Sequence, residues 1–260
     1  MSYTTLISQD HAGVRRLTID RADKLNALNR QVLAELASAV QQARHDDSVR
    51  VLVLAGAGEK AFVAGADIAE MADLDPAQAQ NFARQGQALM RAIETLGKPV
   101  IARIQGYALG GGLELAMACH LRIASTHARL GQPEINLGLV PGFGGTQRLP
   151  RLCGRGAALE LCLLGAPVDA ARAQALGLLT RVVEPEQLDA EVERVAQQLA
   201  RSAPIALRHI LASVIEGGEC ALDQALLLEQ QTFALCFASA DMREGTRAFI
   251  ERRKAVFRGA

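Results

Sequence analysis

The feature that most constrains the fold of this 260-residue chain is a repeated alternation of an apolar strand, a turn of small residues and a helix. The three apolar segments are VRVLVLAGAG, KPVIARIQGYAL and LRIAST. A helix between two apolar strands is typical of a βαβ unit, so we expect an α/β fold built on a parallel sheet. Ligand sites in such sheets lie at the carboxyl ends of the strands, where these small-residue turns fall.

The remaining segments complete the predicted architecture. A hairpin is expected over residues 4–20 and an amphipathic helix over residues 30–45. KPVIARIQGYAL is predicted to be one strand, and residues 128–145 are expected to be irregular. Helices dominate after residue 148, including one over residues 188–200 and a final helical stretch over residues 221–257. We predict a core of residues 1–200 and a helical region of residues 201–260, which packs either on another subunit or on its own core.

Charge and cysteine content exclude several function classes. The chain has 28 basic and 28 acidic residues without a run of one sign, so no nucleic-acid or membrane partner is predicted. Its five cysteines contain no CxxC pair and are predicted to be reduced thiols, which favours a cytoplasmic location. No signal peptide or membrane-spanning apolar run is predicted.

The sequence contains parts of known glycine-rich motifs but completes none of them. Gly106 and Gly111 have the spacing of a phosphate loop, but the required Lys and Ser or Thr do not follow. Gly142 and Gly144 begin a dinucleotide pattern that ends in Gln147. The sequence has no GxSxG or HExxH motif, and its five histidines form no metal-binding pattern, so no metal is predicted.

Two glutamates are isolated in almost uncharged segments. Glu114 is the only acidic or basic residue in 104–119, and Glu134 is the only one in 130–147. An ionised carboxylate in apolar surroundings is either paired or used chemically. For Glu114 the structural alternative is a buried ion pair with Arg103, Arg122 or Arg148. For Glu134 the alternative is a solvated loop acid.

Backbone amides are the second candidate feature. Glycines between a strand and a helix expose N–H groups, and this occurs at residues 65–66 and 110–112. Two converging amides would form an oxyanion hole, whereas the structural alternative is close packing of helix on sheet. Together with two carboxylates, they form the arrangement expected for adding or removing a proton beside a polarised carbonyl. Sequence spacing alone does not show that these groups meet.

Three long motifs, AFVAGADIAEM, GYALGGGLELAMAC and GQPEINLGLVPGFGGTQRLPRL, resemble the enoyl-CoA hydratase/isomerase family, also called the crotonase family. The similarity extends from KLNALN to AFIERRKAVF and is greatest to bacterial short-chain hydratases. The resemblance implies a crotonase-like spiral of ββα units with a C-terminal helical trimerisation region. It also implies a homo-oligomer, either a trimer or a dimer of trimers.

The resemblance further implies an enoyl-CoA hydratase, which adds water across a trans-2-enoyl-CoA to give a 3-hydroxyacyl-CoA. The N–H groups of Ala66 and Gly111 would hold the thioester oxygen, Glu114 would activate water for attack at C3, and Glu134 would supply a proton to C2. Hydratases carry acids at both glutamate positions, whereas isomerases commonly keep one. No separate cofactor is expected, because coenzyme A is part of the substrate.

Further substrate contacts are implied at Ala64, Asp67, Ile68 and Gly142, at Lys24 and Leu25 near the nucleotide, and at Phe249 and Arg252 from a neighbouring subunit. Lys24 is displaced by one place from a basic residue in some family members, and the family often has Lys where Arg252 stands. We expect Phe143 to narrow or reshape the acyl pocket and His120 to have no chemical role. The alternatives are an isomerase, a specialised hydratase such as one for 2,3-dehydroadipyl-CoA, and a non-catalytic scaffold or RNA-binding protein.

Overall fold

The computed structural model describes residues 3–260, in which ten strands form two sheets. The strands are β1 (Leu6–His11), β2 (Val14–Ile19), β3 (Val51–Gly56), β4 (Ala61–Val63), β5 (Val100–Ile104), β6 (Tyr107–Leu109), β7 (Leu121–Ser125), β8 (Arg129–Gly131), β9 (Val168–Asp169) and β10 (Arg181–Val183). The larger sheet has the order β1-β2-β3-β5-β7-β10, and the smaller sheet has the order β4-β6-β8-β9. Pairing is parallel except for β1 with β2 and β8 with β9.

The helices are α1 (Arg30–His45), α2 (Ile68–Met71), α3 (Pro76–Glu94), α4 (Gly111–Ala118), α5 (Gly145–Leu164), α6 (Ala170–Ala175), α7 (Leu188–Ala200), α8 (Pro204–Gly217), α9 (Leu222–Cys236) and α10 (Ala240–Ile250). Three 3-10 turns cover Ala22–Lys24, Pro133–Leu137 and Pro185–Gln187. The predicted hairpin, the first amphipathic helix and the helix over 188–200 are confirmed.

The chain visits the two sheets alternately, which produces the predicted spiral. Strands β3, β5 and β7 lie in the larger sheet, and each is followed by a strand of the smaller sheet, β4, β6 or β8. Helices α2 and α3 follow the first of these strand pairs, and α4 follows the second. The predicted α/β spiral of ββα units is therefore the observed architecture.

Two local predictions were wrong because the chain changes sheets. KPVIARIQGYAL is not one strand, since β5 and β6 belong to different sheets. Between them, the buried Gln105 amide donates to the carbonyls of Gly56 (2.9 Å) and Ala61 (2.6 Å). A Cβ on Gly106 would lie 2.1 Å from the Lys60 carbonyl oxygen, so only glycine permits the crossing. Residues 128–145 are also more regular than predicted, because they contain β8 and a 3-10 turn.

The core lies on both faces of the larger sheet. Alternate residues of β3 point to opposite sides: Leu52 and Leu54 join the main cluster with α1, α3 and α4, whereas Val51 and Val53 pack under α7. All residues of α4 are buried, including Glu114. The fold thus carries one of the isolated acids into the interior.

The region beyond residue 200 consists of α8, α9 and α10 and exposes much apolar surface. Phe233 is 66% exposed and Phe249 is 86% exposed. The predicted continuous stretch over 221–257 is broken, because the Ser239 hydroxyl accepts from Met242 N (3.1 Å) and starts a new helix. A domain boundary at residue 200 stays a prediction. Within residues 3–260, no helix combines the length and apolarity required to cross a membrane.

Candidate active site

The turn after β4 and the start of α4 face the same space. Leu28 bridges the turn by donating to the Gly65 carbonyl (2.8 Å) and accepting from Asp67 N (2.9 Å). Because N–H directions alternate along extended chain, the Ala66 N–H points away from this bridge. Ala66 N lies 3.5 Å from the point that a Cβ on Gly111 would occupy. As the first residue of α4, Gly111 has an N–H without an intrahelical acceptor, so the two amides form a candidate oxyanion hole.

Both amide-bearing residues line a cavity of about 640 Å³. Glu114 and Glu134 line it as well, and they are the only ionisable side chains among its lining residues. The rest of the lining is mainly apolar and comprises Ala64, Gly65, Ile68, Met71, Ala72, Leu74, Ala79, Phe82, Ala83, Gly110, Pro133, Leu137, Leu139, Val140, Gly142 and Phe143. The structure thus brings the two predicted acids and the two predicted amide donors to one cavity.

Glu114 is 1% exposed and is held by the loop that precedes α5. Its Oε1 atom accepts from Phe143 N (2.8 Å) and Gly145 N (2.6 Å). Both hydrogen bonds are made to one carboxylate oxygen, Oε1, and Glu114 is one of the residues that line the cavity. The backbone therefore fixes the orientation of this acid while leaving it accessible to a bound molecule.

The buried ion pair considered for this acid does not form. Arg103 pairs with Asp189 (2.8 Å), and Arg148 pairs with Glu94 (2.6 Å). Arg122 donates to two backbone carbonyls instead. Among residues 3–260, the buried carboxylate of Glu114 consequently has no direct cationic partner.

The pKa of Glu114 is raised to about 7, chiefly by burial and to a lesser extent by the charge of Glu134, while the N–H groups of Gly145 and Phe143 oppose the rise. Burial also raises the pKa of Glu134. Two neighbouring carboxyl groups with raised pKa values tend to lose their protons in separate steps. The pair is therefore suited to hold one proton near neutral pH.

Glu134 is half-buried on the 3-10 turn, so it is not a solvated loop acid. Its neighbour Gln132 is fully buried and was missed from the sequence. In the amide orientation that turns its nitrogen toward the acid, Gln132 would donate to both carboxylate oxygens of Glu134 at 3.0 Å. The sequence feature that could have identified Gln132 is its side-chain amide, which stands two residues before Glu134 in a segment with few other polar groups.

Phe143 forms one wall of the cavity. Its ring makes an edge contact with Phe82, with centroids 5.2 Å apart and an interplanar angle of 61°. A Cβ on Gly86 would lie 2.2 Å from the Phe143 ring, so this glycine makes room for it. Of the other predicted contacts, Ala64, Ile68 and Gly142 also line the cavity.

Five predicted contacts lie outside the cavity lining. Asp67 was expected to line the coenzyme A path, but its carboxylate pairs with Arg21 at 3.0 Å. Lys24 ends the exposed first 3-10 turn, and Leu25 follows it. Phe249 and Arg252 lie in the C-terminal region. Within a single chain, the structure does not bring these residues to the two acids.

His120 is half-buried and has a structural position. Its Nδ1 atom accepts from Val100 N at 2.8 Å, which places the proton on Nε2, facing the Glu94 carbonyl at 3.1 Å. Burial lowers the pKa of His120. Within residues 3–260, no three or more His, Cys, Asp or Glu side chains are grouped to bind a metal.

The family model for enoyl-CoA hydratase/isomerase matches residues 9–260. The chain belongs to the enoyl-CoA hydratase/isomerase family. It is 44% identical to the crotonyl-CoA hydratase of Syntrophomonas wolfei over 99% of both chains. It is 42% identical to the short-chain-enoyl-CoA hydratase of Clostridium acetobutylicum, over 98% of this chain and 97% of that one.

A solved structure of this family confirms the fold. The crystal structure of enoyl-CoA hydratase from Bacillus anthracis superposes with a TM-score of 0.95 at 37% identity, covering 99% of this chain and 100% of the other. The predicted crotonase-like fold, with its C-terminal helices, is therefore confirmed.

Proposed function

We propose that the protein is an enoyl-CoA hydratase, which adds water across the double bond of a trans-2-enoyl-CoA. The observation that carries this function is the joint lining of one cavity by Glu114, Glu134, Ala66 and Gly111. Relatives at 42–44% identity that bear hydratase names add independent support.

The amides of Ala66 and Gly111 would bind the thioester oxygen. As water adds, negative charge develops on this oxygen, and two preorganised N–H groups stabilise it more than the neutral carbonyl. Gly111 is also the first residue of α4, so the helix dipole adds to the same effect.

Each of the two acids transfers one proton during the addition of water. Glu114 takes a proton from water as the water oxygen bonds to C3, the C2–C3 π electrons move toward the thioester, and Glu134 delivers its proton to C2. The product gains one OH and one H, and the proton exchanged between the carboxyl groups restores the starting state through solvent. This division requires Glu134 to be protonated when Glu114 is not. The raised pKa values of both acids support one shared proton, and the choice of Glu114 as base and Glu134 as acid rests on the family resemblance.

The cavity lining favours an uncharged acyl chain. Its side chains are apolar apart from the two glutamates, so the described lining offers no cation to a terminal carboxylate. A substrate such as 2,3-dehydroadipyl-CoA would bring its terminal carboxylate into a cavity whose ionisable side chains are both acids. An isomerase is the second alternative, and the presence of acids at both positions makes it less favoured.

The assembly proposal is a homo-oligomer, a trimer or a dimer of trimers, formed through the C-terminal helices. The exposed apolar side chains of α9 and α10 support it, including Phe233, Leu235 and Phe249. In such an assembly, Phe249 and Arg252 would reach the coenzyme A bound to a neighbour. Sedimentation equilibrium tests this directly, since a mass equal to one chain contradicts it.

We further propose that the reaction needs no metal or separate cofactor and takes place in the cytoplasm. The five free cysteines support a reducing compartment. A metal requirement is tested by assaying after dialysis against a chelator, where unchanged activity is expected.

The decisive experiment incubates the purified protein with crotonyl-CoA and follows the conjugated enoyl-thioester absorbance. We expect the absorbance to fall as 3-hydroxybutyryl-CoA accumulates, with chain length examined next. Migration of the double bond without water uptake would identify an isomerase. If enoyl-CoA substrates of all the chain lengths assayed fail to react, a non-catalytic scaffold or an RNA-binding protein would be the remaining alternatives.

A further inference from the structure

Arg148, on the first turn of α5, uses its whole guanidinium group for contacts inside the protein. Its Nε and Nη2 atoms donate to the two carboxylate oxygens of Glu94 at 2.6 and 3.0 Å. Its Nη1 atom donates to the Phe143 carbonyl at 2.9 Å. The side chains of Arg148 and Glu94 are only 17% and 20% exposed. A bidentate, mostly buried pair of this kind fixes geometry far better than a surface ion pair.

The same residue that accepts from Arg148 also donates to Glu114. The Phe143 carbonyl faces the guanidinium, whereas Phe143 N binds Glu114 Oε1. Gly145 N supplies the second bond to that oxygen. Arg148 is thus connected to the candidate base through a single short loop, and it is not itself one of the residues that line the cavity.

The loop packs so closely around the Arg148 guanidinium that a residue larger than glycine at position 144 would clash with it. Gly144 has φ +106°, and a Cβ at this position would lie 2.2 Å from Arg148 Nη1. On the far side, the Gly142 carbonyl accepts from Gln87 on α3 at 2.9 Å. Contacts from α3 and α5 therefore fix the loop that presents two N–H groups to one carboxylate oxygen.

We propose that Arg148, oriented by Glu94, is a positioning residue that sets the geometry of Glu114 through the loop of residues 143–145. This inference rests on the proposed hydratase function, in which Glu114 exchanges a proton with water. A base must lie within hydrogen-bond reach of that proton, and a displacement of about 1 Å lowers the rate by about 100-fold.

Arg148 has an electrostatic effect as well. Its positive charge lowers the pKa of Glu114, although burial and Glu134 have the opposite effect and prevail. On α5, burial raises the pKa of the Cys162 thiol, and the charges of Glu134 and Glu114 add to the rise. Strand β4 brings no ionisable side chain, and β6 carries only the exposed Tyr107. Removing the cation should therefore raise the pH at which Glu114 loses its proton.

The test compares Arg148→Lys, Arg148→Met and Glu94→Gln with Arg151→Met as a matched control. Arg151 lies on the same helix and pairs with Glu219 at 3.0 Å, but both side chains are 55% exposed. Hydration of crotonyl-CoA is measured from pH 5 to 9, together with thermal unfolding. Titration of Glu114 is followed by 13C NMR of carboxyl-labelled glutamate and assigned with Glu114→Gln.

We expect Arg148→Lys to lower kcat by about 100-fold with little change in KM and an unshifted acid limb, because the charge is kept and the fork-shaped contacts are lost. Arg148→Met should lower kcat at least as much and move the acid limb and the Glu114 titration to higher pH. Glu94→Gln should lower kcat less than either change at Arg148, since Arg148 keeps its charge and an acceptor. Arg151→Met should leave kcat and the pH profile unchanged.

The proposal is overturned if the folded Arg148 variants keep the wild-type kcat and Glu114 titration while losing only thermal stability, as a structural ion pair would. If the wild-type protein hydrates no enoyl-CoA, the proposed function fails separately. The NMR titration still reports on the link in that case: an upward shift in Arg148→Met but not in Arg148→Lys supports it, and no shift overturns it.

Discussion

Glu134 Oε1 lies 2.6 Å from the point that a Cβ on Gly110 would occupy. The acid is therefore packed against the backbone that leads into α4, and Gly110 also has φ +49°. We predict that Gly110→Ala displaces Glu134, lowers kcat by about 100-fold, and destabilises the fold by about 1–3 kcal/mol through backbone strain. Initial rates with crotonyl-CoA and denaturant unfolding measure the two effects.

Gly154→Ala is the control for that substitution. Gly154 also has a positive φ, +80°, but no atom lies within 4 Å of its added Cβ. It should lose stability through strain and keep its kcat. Equal losses of kcat in the two variants would show that strain, rather than the contact with Glu134, causes the effect.

Replacing each acid separately tests their roles in hydration. Glu114→Gln and Glu134→Gln should each lower kcat by about 100- to 10,000-fold, because neither amide can exchange the proton that its position requires. Solvent deuterium incorporation at C2 of the thioester separates the two roles, since it should be lost in Glu134→Gln. The control Glu160→Gln alters a carboxylate that is 53% exposed and should be neutral. Unchanged kcat in both site variants would contradict the assignment.

Burial of Glu114 should make the protein less stable as the pH rises. Its pKa is raised from 4.5 to about 7, so the folded state binds this proton more tightly than the unfolded state does. The stability gained from the proton is present below pH 4.5 and is lost as the pH rises through 7. Glu114→Gln should therefore stabilise the protein by up to about 3 kcal/mol at pH 8, and much less at pH 5. Urea unfolding at the two pH values measures this, and a variant less stable than wild type at pH 8 would contradict it.

Asp67 offers a test between substrate contact and support of the oxyanion hole. Its carboxylate accepts from Arg21 at 3.0 Å, and Arg21 also donates to the Ala27 carbonyl. We predict that Asp67→Asn loosens the turn that carries Ala66 and lowers kcat more than it raises KM. A change confined to KM for the coenzyme A thioester would instead indicate direct binding. Steady-state kinetics with crotonyl-CoA distinguish the two results.

The parts of the fold that were predicted from sequence are those with local causes. Helix α1 follows a 3.6-residue apolar pattern, and Asn29 accepts from Val32 N at its start. The end of β5 had no such signal, because the change of sheet depends on Gly106 meeting the backbone of Lys60. Because Gly106 and Lys60 are 46 residues apart in the chain, their contact leaves no periodic pattern of apolar residues in the sequence.

The same limit explains the candidate site. Glu114 and Glu134 were found because each stands alone in an uncharged segment. The role of Asp67 depends on Arg21, and that of Arg148 depends on Glu94, which lies 54 residues away. A pattern within one segment does not reveal which distant partner a charged side chain has, so both were assigned only in the folded structure.

The surroundings of Glu114 and Glu134 differ in how readily they accept substitutions, because α4 is completely buried and the 3-10 turn is not. Glu114 lies on α4, and every residue of that helix is buried. Its position can therefore change only if the interior is repacked. Glu134 belongs to a turn that ends at the exposed Leu137 and is followed by the exposed Leu139 and Val140, and these three residues also line the cavity. In the proposed hydratase, residues around Glu134 can therefore be exchanged to fit longer or shorter acyl chains at little cost in stability, whereas the core fixes the position of Glu114.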